Sequence, residues 1–148
     1  MKLNEKGIEL IKSYEGVELA PYKDSGGAWT IGYGHLIVAG ENEKYKDGIT
    51  MAAALELLKQ DIKIAENAVN EQVTRSLTPN QFTALISLVF NIGVGGFKKS
   101  TLLKRLNDGT EKELRRVPGE ILKWHWDNGK PVKGLVNRRA KEAVLFLS

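Results

Sequence analysis

The 148-residue chain is long enough to bury a real core as one folding unit. Its 42% hydrophobic and 27% charged composition is that of an ordinary globular protein. It has no cysteine, which excludes disulfides and thiolate chemistry, and no stretch nears the roughly 18 apolar residues of a membrane helix. The formal net charge of +4 is unevenly spread, with −3 over residues 1–97 and +7 over residues 98–148. A basic C-terminal half attracts a polyanion, either an envelope polymer or nucleic acid, unless its cations are merely solvated helix faces.

In chain order, Asn4 is placed to cap a helix whose apolar face holds Ile8, Leu10, Ile11 and Tyr14. Gly16 ends it, leaving Glu15 at a C-terminus where the helix dipole disfavours negative charge and so suits a proton donor. Pro21 pushes Ala20 toward extended backbone, and Ser25-Gly26-Gly27 reads as a turn with Asp24 at its entrance. Residues 28–34 then alternate. Ala28, Thr30, Gly32 and Gly34 form a nearly bare face on which a ligand could approach the backbone, while Trp29, Ile31 and Tyr33 are expected to pack inward. Two carboxylates from separate short elements suit glycosidic-bond hydrolysis, one giving a proton and the other handling water. On spacing alone, a pair of solvated surface acids is the commoner arrangement.

The stretch from Leu36 to Thr50 carries no clear pattern. Thr50 caps a long helix marked by Met51, Ala54, Leu55, Leu58, Ile62 and Ala65 and running to about Val73. Thr78-Pro79-Asn80-Gln81 is a capping box that opens an apolar helix to about Asn91. Gly93-Val94-Gly95-Gly96 reads as a flexible connection, since no Gly-Lys-Ser/Thr follows to make a phosphate cradle. Ser100 caps a short helix ended by Asn107-Asp108-Gly109, and Thr110 with Glu113 suggests a second capping box. A further helix is expected at about Glu120–Trp126, then a turn through Asp127-Asn128-Gly129-Lys130-Pro131. The last helix, about Leu135–Leu147, is expected to expose Arg139 and Glu142 and to bury Ala143, Val144 and Phe146 in part. Trp124 and Trp126 fit core packing better than sugar stacking.

The Glu15-x8-Asp24-x5-Thr30 spacing with Trp29-Thr30-Ile31-Gly32-Tyr33-Gly34-His35 resembles the catalytic signature of phage-type lysozymes, the endolysins of glycoside hydrolase family 24. The likeness continues in Asn80-Gln81-Phe82-x-Ala84-Leu85-x-Ser87-x-x-Phe90-Asn91-Ile92-Gly93 and in Gly96-Phe97-x-x-Ser100-Thr101-Leu102-Leu103. It returns in Gly134-Leu135-x-x-Arg138-Arg139-x-x-Glu142, so the blocks run in family order over essentially the whole chain.

The resemblance implies an α+β, mainly helical, lysozyme-like domain over residues 1–148. A small β-hairpin lobe (about 16–48) and a larger helical lobe (about 74–148 plus the N-terminal helix) would be joined by a long helix (about 50–73), with the active-site cleft between. It implies a muramidase that hydrolyses the β-1,4 bond between N-acetylmuramic acid and N-acetylglucosamine, with inversion. Glu15 would be the acid, Asp24 the charge-stabilising base and Thr30 the holder of water by both accepting and donating hydrogen bonds. Leu36, Phe90, Asn91 and Ser100 match substrate-binding positions, although core and cap roles equally suit Phe90 and Ser100. His35 is a supporting residue, and either Arg138 or Arg139 matches the arginine that pairs with the catalytic glutamate, where it would favour the charged form. No metal and no cofactor is expected, since only two histidines are present.

The implied partner is the peptidoglycan glycan strand, met by a monomer without nucleic acid and without stable membrane insertion. The opening Met1-Lys2-Leu3-Asn4-Glu5-Lys6 lacks the apolar core of a signal peptide. The family's route would be synthesis in the host cytoplasm and access to the wall after another protein permeabilises the membrane. Two alternatives predict different outcomes. A lytic transglycosylase would leave anhydro-sugars and dispense with Asp24 and Thr30, and a noncatalytic basic module binding envelope polymers or nucleic acid would not need Glu15.

Overall fold

A computed structural model describes residues 1–127 and 129–148. They fall into two compact units, Ile8–Lys63 and Met1–Gly7 with Ile64–Ser148. Described residues are mostly helical with a small antiparallel sheet, the fold class that the sequence implies.

The first unit is built around that sheet. Helix α1 (Glu5–Glu15), which has residues in both units, starts where Asn4 Oδ1 accepts the Gly7 N–H at 2.9 Å. It ends where Gly16 adopts φ +65°, and the Gly16 N–H bonds back to Lys12 O. Strands β1 (Glu18–Lys23), β2 (Trp29–Gly32) and β3 (His35–Leu36) form an antiparallel meander in the order β1-β2-β3. Its β1–β2 register is irregular between Glu18 and Tyr22, across Pro21, which has no N–H to give the ladder.

The expected strand over residues 28–34 is shorter. Gly32 and Gly34 take φ +68° and +79°, so the chain turns at Tyr33-Gly34 instead of continuing extended. Ile31 and Tyr33 are buried as expected, but Trp29 is exposed and lies beneath Lys23 Nζ, 5.3 Å from its ring centre. Trp29 sits at the strand's first residue, opposite Lys23, beyond the reach of the core formed by Ile31, Ile37 and Tyr45. The unpatterned stretch after Leu36 contains a short helix α2 (Asn42–Tyr45), anchored by buried Tyr45.

Helix α3 (Met51–Gln72) has residues in both units and starts where Thr50 Oγ1 accepts the Ala53 N–H. In the second unit, α4 (Pro79–Ile92) opens on a complete capping box between Thr78 and Gln81. Residues Phe82 to Val89 are all buried, the mark of a helix surrounded by other elements. The expected flexible connection holds instead a helical turn, α5 (Val94–Lys98), tied down by buried Phe97.

Helices α6 (Thr101–Asp108) and α7 (Glu111–Leu114) follow, capped by Ser100 and Thr110. The second capping box is only half formed. Thr110 accepts the Glu113 N–H, but Arg105 and Arg116 engage the Glu113 carboxylate. Helix α8 (Val117–Leu122) begins earlier than expected, with Pro118 in its first turn. Trp126 lies on the hairpin β4 (Trp126–Asp127) and β5 (Lys130–Pro131) rather than on a helix. Asn128, part of the expected turn, lies outside the described residues.

Helix α9 (Lys133–Leu147) packs on α4 and α8 and reverses two expectations. Arg139 and Glu142 are 0% exposed, whereas Val144 is 68% exposed. Periodicity treats charged residues as solvent-facing, but here opposite charges satisfy one another inside the unit. Trp126 is likewise 57% exposed, so the core expectation fails for it; its ring lies 5.0 Å from that of His125.

Candidate active site

The Ile8–Lys63 unit brings Glu15, Asp24, Thr30, His35 and Leu36 together on neighbouring elements. Glu15 is the last residue of α1, and its carboxylate lies over Gly34 of the β2–β3 turn. A Cβ at Gly34 would stand 3.1 Å from Glu15 Oε2, closer than ordinary contact. The bare glycine therefore seats the protein's own carboxylate. The sequence shows the bareness of that position but not what fills the space above it.

Asp24 and Thr30 are joined through the backbone of one residue, Ala28, that sequence reasoning missed. Asp24 Oδ1 accepts two hydrogen bonds of 2.9 Å, from the Gly26 and Ala28 N–H groups. The Ala28 carbonyl in turn accepts from the Asp24 N–H at 2.9 Å and from Thr30 Oγ1 at 3.0 Å. The turn thus holds the carboxylate on the Ala28 N–H and the hydroxyl on the Ala28 carbonyl. No local signal could identify Ala28, because its contribution is entirely backbone.

That geometry also decides what Thr30 offers. Its single proton is directed to a carbonyl, so toward a neighbouring water its oxygen can only accept. The hydroxyl thus donates to the Ala28 carbonyl and keeps its lone pairs for accepting. Thr30 is 4% exposed, and its Cα partners are Tyr22 on β1 and Leu36 on β3. Directly opposed residues in antiparallel strands share a face, so Tyr22, Thr30 and Leu36 form one row across the sheet. Leu36 is 52% exposed, an apolar side chain open to solvent beside the buried threonine.

Two further residues escaped the sequence reading. His35 Nδ1 lies 2.8 Å from Asp61 Oδ2 on α3, and the His35 ring meets Tyr45 edge-on at 6.1 Å. Nothing near Asp61 in sequence marks it as a histidine partner. Tyr22 is half-buried, and its phenol is pushed above its ordinary value first by burial and then by the charges of Glu15, Glu18 and Asp24. It therefore lies within the field of both candidate acids.

The remaining predicted residues belong to the second unit. Phe90 is partly exposed on α4. Asn91 is exposed, and its Oδ1 accepts from Arg139 Nη1 at 2.9 Å. Ser100 is buried and acts as a helix cap, donating to Phe97 O at 2.6 Å and accepting the Leu103 N–H at 3.1 Å.

Arg138 and Arg139 enter one buried cluster. Arg138 Nη2 donates to Ser87 O at 3.1 Å, and Arg138 Nε is 3.8 Å from Glu142 Oε2. Arg139 Nη2 donates to Glu142 Oε2 at 3.2 Å, with Arg139 Nε against Glu142 Oε1. Burial pushes the Glu142 carboxyl above its ordinary value, while Arg139, Ser87 and Arg138 pull it back. Among the described residues, no group of three or more Asp, Glu or His side chains is arranged to hold a metal ion.

Comparison with known proteins relates the chain to endolysins and a muramidase. The family model for phage lysozyme matches residues 12–142. An endolysin of Acyrthosiphon pisum secondary endosymbiont phage 1 is 43% identical over 152 residues, covering 100% of this chain and 99% of the relative. The endolysin of Bacillus phage PZA is 39% identical over 100% of this chain, which spans only 56% of that longer protein. Among solved structures, the muramidase domain of SpmX from Asticaccaulis excentricus is similar with a TM-score of 0.83 and 36% identity. That likeness covers 99% of this chain and 98% of the other.

Proposed function

The chain belongs to the phage lysozyme family, and we propose that Glu15, Asp24 and Thr30 carry its hydrolytic chemistry. It is a glycoside hydrolase of the lysozyme type that cleaves peptidoglycan, and neither alternative reading is favoured. The observation that carries the site assignment is the turn centred on Ala28. It fixes Asp24 and Thr30 together in the same unit that seats Glu15 over Gly34.

In this reading Glu15 gives its proton to the oxygen of the bond between N-acetylmuramic acid and N-acetylglucosamine as the C1–O bond breaks. A water between Thr30 and Asp24 donates one O–H to Thr30 Oγ1 and the other to the Asp24 carboxylate, leaving a lone pair for C1. As the new C1–O bond forms, the water proton passes to Asp24 and Glu15 is left as a carboxylate. Solvent then returns a proton to Glu15 and takes one from Asp24. Water attacking from the face opposite the leaving group inverts the anomeric centre. Leu36 supports the sugar; Phe90 and Asn91 contribute to binding; His35 holds the β2–β3 turn against α3 through Asp61. Within the second unit, Ser100 keeps its proposed binding role as the cap of α6, and Arg138 and Arg139 their proposed supporting role in the buried cluster of α9.

The same proposal has residues 1–148 acting as one monomeric domain on glycan strands, without nucleic acid or stable membrane insertion. It has the protein made in the host cytoplasm and reaching the wall once another protein opens the membrane. No helix among the described residues is long and apolar enough to cross a membrane.

The test is turbidity loss of purified cell walls with wild type and Glu15→Gln. The variant is expected to stay folded and to lose about 100- to 10,000-fold in rate, the usual worth of a general acid. Wild-type-like lysis by the variant would remove Glu15 from the mechanism. Reducing-end products without anhydro-sugars identify hydrolysis over transglycosylation.

A further inference from the structure

Tyr22 is not among the residues that the family signature marks, yet it occupies a distinct place beside them. It is the Cα partner of Thr30, so the two side chains share a face of the sheet. Leu36 pairs with Thr30 from the other side and completes the row. Neighbouring strands stand about 4.8 Å apart, close to the width of a sugar ring. A sugar whose reacting carbon lies over the Thr30 water is therefore flanked by Tyr22 on one edge and Leu36 on the other.

The hydrogen-bonding inventory of this row is lopsided. Thr30 has spent its proton on Ala28 O, and Asp24 presents only acceptors. These groups recognise hydroxyls and water, but neither can bind an oxygen that carries no hydrogen. Tyr22 supplies the missing donor. Burial and the charges of Glu15, Glu18 and Asp24 keep its phenol protonated, and its hydroxyl has no partner among the described residues.

We infer that the Tyr22 hydroxyl binds the acetamido carbonyl oxygen on the sugar carbon next to the reacting one, making Tyr22 a residue that selects N-acetylated glycan. The inference rests on the assignment of Asp24 and Thr30 to the water. With the glycosidic oxygen engaged by Glu15 and the ring oxygen losing electron density as the C1–O bond breaks, the acetamido carbonyl on the next carbon is the protonless acceptor left for a donor. It lies one position away along the ring, as Tyr22 lies one strand away from Thr30. The donor is neutral, so it recognises the amide without adding charge beside the two acids.

The experiment is a two-by-two comparison of kcat/KM for wild type and Tyr22→Phe on intact and chemically N-deacetylated purified cell walls. Removing one neutral hydrogen bond is expected to slow Tyr22→Phe about 3- to 10-fold on intact walls. Wild type loses preference on deacetylated walls, and Tyr22→Phe shows no further loss attributable to the missing hydroxyl there. The free amines left by deacetylation meet the same carboxylates in both proteins and cancel in the comparison. An equal slowing of Tyr22→Phe on both walls, or no slowing on either, overturns the assignment. Phe keeps the ring and the strand position, and a matching thermal midpoint confirms that the fold is retained. Glu15→Gln, assayed on the same intact walls, reports separately on the reaction site, so failure of one reading is distinguishable from failure of the other.

Discussion

Replacing Gly34 with alanine tests whether the seat of Glu15 is as tight as its geometry implies. The added methyl would stand 3.1 Å from Glu15 Oε2, so the carboxylate must give way by a few tenths of an ångström. Misplacement of a reacting group by 1 Å costs about 100-fold in favourable cases, and a few tenths scales to roughly 3- to 10-fold in kcat. The backbone at Gly34 has φ +79°, a left-handed conformation that costs a residue with a Cβ about 1–2 kcal/mol. For a chain of this size that lowers the thermal midpoint by about 2–8 °C.

Strain and displacement separate with a control. Gly109→Ala carries the same backbone penalty at φ +87°, but no atom lies within 4 Å of its added Cβ. Both variants should lose similar stability in thermal unfolding, and only Gly34→Ala should lose kcat on purified walls at a temperature where both remain folded. Equal kcat in the two variants would refute the claim that the Gly34 seat positions the acid.

Two further outcomes follow from the second unit. Removing the central carboxylate of the buried cluster with Glu142→Ala leaves Arg138 and Arg139 without that anion, which should cost about 3–5 kcal/mol in denaturant unfolding. A loss below about 1 kcal/mol would mean the guanidiniums find other compensation. Arg105 holds Glu113 below its ordinary carboxyl value of 4.5. Burial raises Glu120, but Lys123 and Arg105 together more than offset it and leave it lowered. A depressed folded value means that the stability these acids contribute is present above about pH 4.5 and is lost as pH falls through the folded values. The midpoint difference between wild type and Arg105→Met should therefore be largest near neutral pH and shrink below pH 4.5; a constant difference would count against the pairing.

Much of the helical architecture is legible because its signals are local. Thr78 with Gln81, Asn4, Thr50, Ser100 and Gly16 mark helix ends through bonds spanning three or four residues, and those bonds form. The half-formed box at Thr110 shows the limit. Glu113 had the right spacing, but Arg105, eight residues earlier, competed for its carboxylate. Arg139 and Glu142 were misread for the same kind of reason. Periodicity assigns charge to solvent, and no local rule announces that Arg138 and Ser87 will share a buried network with them.

By itself, the sequence determined the family, the mainly helical class and the residue types of the candidate site, since motif order and short-range capping are written along the chain. Only tertiary structure decided how those residues are held. It set Glu15 over a glycine nineteen positions away, coupled Asp24 to Thr30 through the Ala28 backbone, and directed the Thr30 proton to the Ala28 carbonyl. It also laid Tyr22 against Thr30, because strand register is fixed by pairing across the sheet. Backbone donors and cross-strand neighbours leave no mark on residue identity, which is why Ala28, Asp61 and Tyr22 became visible only once the chain was folded.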